Sequence, residues 1–161
     1  MSRILITSMA LALLASAGNR GEVKWSIDAP AEKIPDGKLR GEIFGRDIGE
    51  FMATFNDQAI TIQSKEKVEG WPASKLIIFA DRDARSKEIV VTPKSEGMLP
   101  HVHMNSAIEG RGFPGTLMYT EMYSMRLVAK EIGDSLDCQI HLSLPDYKHT
   151  FLAGRFTAKK N

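Results

Sequence analysis

From Leu39 onward, apolar and polar positions alternate in short runs broken by turn residues. Leu39, Gly41 and Ile43 interleave with Lys38, Arg40 and Glu42, the period of a half-buried strand. Phe51 to Phe55 and Ala59 to Gln63 flank Asn56-Asp57-Gln58, which reads as a hairpin loop. Lys75 to Ala80 and Glu88 to Thr92 read as two further strands joined by a charged tip, Asp81 to Lys87. Pro100 to Asn105 follows, then an extended Leu117 to Val128 in which Tyr123, Met125 and Leu127 share a face. Leu136 to Leu144 and Thr150 to Ala158 finish the chain across Pro145-Asp146. Only Thr116 to Ile132, rich in helix formers and free of breakers, offers a helical rival. About eight or nine short strands with frequent turns predict an all-β domain, an antiparallel sandwich or jelly roll, over residues 37–161.

The first residues follow a different pattern. Arg3, the apolar Ile4 to Leu14 and Ala15-Ser16-Ala17 reproduce the three parts of a secretory signal peptide over residues 1–17, with cleavage after Ala17. Its apolar run of about 11 to 14 residues is short of the roughly 20 that span a bilayer. Residues 18–36, broken by Pro30 and Pro35, read as a linker or loosely attached N-terminal arm, with a short strand at Val23 to Ile27. This predicts an exported protein, periplasmic or extracellular, with no membrane span after cleavage. Loss of the leader removes Arg3 and takes the formal net charge from +1 to zero. A neutral domain has no general attraction to phosphate backbones, so nucleic acid is a poor partner.

The ending GDSLDCQIHLSLPDYKHTFLAGRFTA resembles one found in an uncharacterised group of exported bacterial β-sandwich-like proteins. There a strand of type G-x-I-x-L-x-L-P-D leads through a polar turn into A-G-x-F. GEIFGRDI, FNDQAITIQ, VTP and PHVHM are similar to that group's earlier strands, from about Gly37 to Ala158. The resemblance implies a β-sandwich and export, and it supplies no catalytic residues.

Candidate chemistry is sparse. Cys138, the single cysteine, alternates with Ile140, Leu142 and Leu144 and reads as core. Two of the four histidines, His101 and His103, stand two apart on a strand and therefore point to the same side. With His141 from a neighbouring strand they would make a three-nitrogen site for zinc or copper, and His149 is a weaker candidate. The alternative is an exposed strand face, with Val102 and Met104 turned to the core. Met98, Met104, Met118, Met122 and Met125 add thioethers suited to copper, although methionine also fills core gaps. Trp71, Phe113 and Tyr147 fall on loops, where rings could stack on a glycan or anchor a protein ligand of the cell envelope.

Gly110 to Gly115 spells G-x-G-x-x-G, but Pro114-Gly115 makes a turn where a dinucleotide site needs a helix to open. Asp81-Arg82-Asp83 begins like a calcium loop and then lacks the required glycine and glutamate. Neither G-x-S-x-G nor H-E-x-x-H is present. These features favour a non-catalytic binding or envelope-associated module, with a metal-binding protein or metalloenzyme centred on His101 and His103 as the alternative.

Overall fold

Leu136, Cys138, Ile140 and Leu142 alternate with polar residues, and their strand Ser135–Ser143 is buried at each of those positions. The computed structural model describes residues 23–161; the leader and its cleavage point lie outside the described residues. In chain order the strands are β1 (Arg40–Ile43), β2 (Arg46–Asp47), β3 (Phe51–Phe55), β4 (Ile60–Ser64), β5 (Lys67–Val68), β6 (Trp71–Pro72) and β7 (Ser74–Phe79). They continue as β8 (Ile89–Val91), β9 (His101–Ser106), β10 (Gly115–Tyr119), β11 (Ser124–Ile132), β12 (Ser135–Ser143) and β13 (Phe151–Lys160). Two helical turns, α1 (Ala29–Glu32) and α2 (Arg82–Arg85), complete the elements. The fold is all-β.

Eleven strands form one curled sheet in the order β10-β9-β7-β4-β3-β13-β12-β11-β8, with β1 pairing β13 and β2; β5 and β6 form a separate hairpin. The pairing is antiparallel except between β13 and β3. Strand β13 therefore has two neighbours along one edge. Its first half takes β1, with Gly41 opposite Leu152, and its end takes β3, with Lys159 opposite Thr54. The curl encloses a single core in which Ile60, Ile62, Leu76, Ile78, Val102 and Met104 meet Tyr123, Met125, Leu127, Ile140 and Leu142. Cys138 lies in that core, and burial pushes its thiol up to about 12, so it is an inert packing residue. The hydroxyl of Tyr123 donates to the Pro100 carbonyl, satisfying the one polar atom of that buried ring.

Three expectations are corrected. Lys75 to Ala80 and Glu88 to Thr92 do not pair: β7 joins β9, while β8 joins β11 on the opposite edge. The charged segment between them crosses the fold as α2, capped by Asp81 Oδ1 on the Ala84 amide. Arg85 then turns inward, donating to the Asn56 carbonyl at 2.8 Å over the Phe55 ring. Leu117 to Val128 is two strands rather than one, broken at Thr120 to Tyr123, with Met122 at φ 62°. Nor is it helical, because both pieces find ladder partners.

The arm is the third correction. Residues 23–27 form no strand, and the described part of the arm, residues 23–36, lies packed rather than loose. Trp25 Nε1 donates to the Leu144 carbonyl at 2.9 Å, and its ring stacks on His149 at 4.2 Å. Pro30 is buried, and α1 covers the outer face of β11 and β12.

Candidate functional site

An apolar groove of about 280 Å³ opens beside β10, an edge strand whose second side has no partner among the described residues. Met104 and Leu117, opposite each other in the β9–β10 register, form its floor with Ser106. Ile108 and Arg111, from the loop between those strands, close one side, and Phe44 and Tyr147 close the other. Phe44 reaches that position because the tight β1–β2 turn holds it at φ 55°, with its amide donating to Thr150 Oγ1 at 2.8 Å. Its ring meets Tyr147 edge-on at 5.2 Å.

The turn that presents Tyr147 is built on Asp146. This carboxylate is buried and accepts from the amides of Lys148 and Thr150, each at 2.9 Å. Thr150 Oγ1 lies 3.2 Å from Met104 Sδ, which ties the turn to the groove floor. Burial, and then the Asp146 charge, raise the Tyr119 phenol to about 12, so it stays neutral beside the carboxylate. Asp146→Ala strands two amides, and we expect a loss of about 2 to 3 kcal/mol of stability by chemical denaturation. A loss below about 0.5 kcal/mol would show that the turn does not need the carboxylate.

The loop is held from the other side by the β5–β6 hairpin. Glu69 accepts from the Gly110 and Gly112 amides at 2.8 and 3.2 Å, and Trp71 Nε1 donates to the Gly112 carbonyl at 3.1 Å. The glycines of the G-x-G-x-x-G letters thus meet a carboxylate of the chain itself. Trp71, Phe113 and Tyr147 are all well exposed, at 46%, 67% and 74%. Tyr147 lines the groove, whereas Trp71 braces the far side of the loop and Phe113, two residues before β10, is not part of the groove lining.

The predicted histidine triad is not assembled. His101 and His103 lie on the outer face of β9, the first exposed and the second half-buried against Phe79, ring centroids 4.6 Å apart. Burial, and then the neighbouring His101, hold the His103 imidazole below its ordinary range. Val102 and Met104 face the core as the bland alternative required. His141 sits on β12, with β7, β4, β3 and β13 between the two strands in the sheet order. It is buried beneath the arm, and its Nδ1–H donates to the Lys33 carbonyl at 2.7 Å. His149 is occupied by Trp25. Among the described residues no three His, Cys, Asp or Glu side chains gather as a ligand set.

Phe44, Ile108, Arg111 and Leu117 carry no sequence signal that marks them as one site. Arg111 lies within the G-x-G-x-x-G letters, which lack a dinucleotide context, and Leu117 reads as an ordinary strand position. Only the closure of β1 and the 144–150 turn against β9 brings them together. Comparison of the chain with known protein families, with curated proteins and with solved structures found no significant match. Among the described residues no helix is long and apolar enough to cross a membrane.

Proposed function

We propose that this chain is an exported, non-catalytic binding module whose ligand is an extended peptide segment of an envelope protein, added as a strand to β10. The observation that carries the reading is the coincidence of a free strand edge with an apolar groove along it. An added strand would satisfy the unpaired backbone groups of that edge, and alternate side chains would enter the groove. Leu117, 41% exposed on an edge strand, is the type of residue such an addition covers. Arg111 at the rim adds a preference for an acidic residue or a chain-terminal carboxylate. The ring of Tyr147 supplies rigid contact area at small entropic cost.

A displayed peptide library panned against residues 18–161 tests this. Enriched sequences should alternate apolar residues and carry an acidic group. Tyr147→Ala should weaken a selected peptide by about tenfold and Arg111→Glu by a similar factor. A proline placed at alternate backbone positions of the peptide should abolish binding, because it removes ladder donors. Recovery of no peptide, or peptides indifferent to all three changes, would sink the proposal. The glycan alternative through Trp71 has less support, since its Nε1–H is already committed to Gly112.

A further inference from the structure

The outer face of β9 and β10 carries a constellation that the groove does not use. His103 stands directly opposite Met118 on β10 and Ile77 on β7, and His101 stands opposite Phe79. Opposed residues of an antiparallel pair share a face, with Cβ atoms about 5 Å apart, and their diagonal neighbours lie about 7 to 8 Å away. Two imidazoles and one thioether therefore crowd a single patch. Met118 is 66% exposed, a long apolar side chain presented to solvent beside the two imidazoles. The patch is flanked by Ile77 and by Phe79, whose ring is tilted against His103.

Charge narrows the choice of ligand. On this face the register adds Lys75 and Gln63, Asn105 bonded to Thr116 at 2.6 Å, and Thr61. None is a carboxylate or thiolate. The available ligands are all neutral, so a divalent ion would keep its full +2 charge beside Ile77 and Phe79, whereas a monovalent soft ion keeps only +1. Imidazole and thioether donors in a set of three suit Cu(I), which accepts low coordination numbers. Zinc prefers four ligands, among which a thioether has no place.

We propose that His101, His103 and Met118 form a surface site for monovalent copper, independent of the groove reading. Binding forms two Cu–N bonds and one Cu–S bond, displaces weakly held ligands from the ion, and involves no change of oxidation state.

Copper(I), kept reduced with ascorbate under anaerobic conditions, is titrated into residues 18–161 against a chromophoric chelator. One equivalent should be taken up. His103→Ala should weaken uptake by about 100-fold or more and Met118→Leu by about tenfold, while zinc affinity is unchanged in Met118→Leu. On the unaltered protein, silver(I) as a diamagnetic stand-in should shift the His101 and His103 ring signals and the Met118 methyl signal in NMR spectra. The silver experiment needs no variant and so does not depend on whether the substituted chains fold. Cu(I) uptake insensitive to both substitutions, or silver shifts confined to Met52, Met98 or Met122, would overturn the assignment. So would a complete absence of uptake.

Discussion

Gly154→Ala is expected to lower unfolding stability by about 3 to 5 kcal/mol, a large part of the 5 to 15 kcal/mol typical of a whole domain. Gly154 lies on β13 opposite Ile140 and has φ of +126°, a backbone that residues with a Cβ rarely adopt. It sits near the point where β13 exchanges one neighbour for another. Leu39 donates to the Arg155 carbonyl and Arg155 donates to the Gly37 carbonyl, each at 2.9 Å, drawing the entering chain hard against the strand. An added Cβ would stand 2.5 Å from the Lys38 carbonyl oxygen and 2.7 Å from its carbon. Both are backbone atoms in a hydrogen-bonded crossing, so neither can turn aside as a side chain could. Gly41, where a Cβ would overlap the Phe151 carbonyl, should respond in the same direction. The urea midpoint of Gly154→Ala is the measurement, and a shift equivalent to less than about 1 kcal/mol would mean that the crossing yields easily.

Acid should release the N-terminal arm, and His141 is the group responsible. Four of the five buried side-chain polar atoms without a partner among the described residues lie on one face: Ser124 Oγ, Arg126 Nε, His141 Nε2 and Ser143 Oγ. Ser124 pairs with Ser143 and Arg126 with His141 in the β11–β12 register, and α1 lies over them. Burial lowers the His141 pKa from the ordinary 6.5, and the Lys33 hydrogen bond only partly offsets that. The unfolded chain therefore takes the proton more readily than the folded one. Stability from this group is complete above about pH 6.5 and is lost as pH falls through the lowered folded value.

A proton on Nε2 would face Arg126, whose guanidinium is already paired with Glu88 at 3.5 Å. Glu32 and Lys33 stand on the covering arm, and β13 offers the uncharged Ala153 opposite. Among the described residues the register partners of His141 are Arg126 and Ala153, neither a carboxylate, so the arm is the element expected to give way. Protection factors of the amides of residues 23–36, taken relative to the intrinsic exchange rate at each pH, should fall between pH 7 and pH 5. His141→Asn, which keeps a donor for the Lys33 carbonyl and does not titrate, should flatten that dependence. His141→Ala, which removes the donor and leaves a void, should cost roughly 2 to 4 kcal/mol at pH 7. Arm protection that is equally pH-dependent in His141→Asn would assign the effect elsewhere.

Alternation of apolar and polar residues was enough to place the strands, because a pleated backbone sends successive side chains to opposite faces whatever its partners are. It put Tyr123, Met125 and Leu127 on one buried face, Cys138 among Ile140 and Leu142, and Val102 and Met104 inside with two histidines outside. It also led to an all-β fold, observed as thirteen strands among the described residues. Pairing was beyond its reach. A strand's own residues specify which face is buried but not which edge it joins, and so β7 and β8 read as a hairpin although they lie far apart in the sheet. The same ambiguity let His141 be imagined beside His101, and it hid the meeting of Phe44 with Tyr147. The arm was misread for a related reason: its polar, proline-broken composition lacks period, and its attachment depends on contacts of Trp25 and Lys33 with residues more than a hundred positions away. Which side chains share the groove, the outer His101–His103–Met118 patch and the covered polar face was decided by strand order together with the turns and the arm that pack on the sheet, through contacts that no local stretch of the chain encodes.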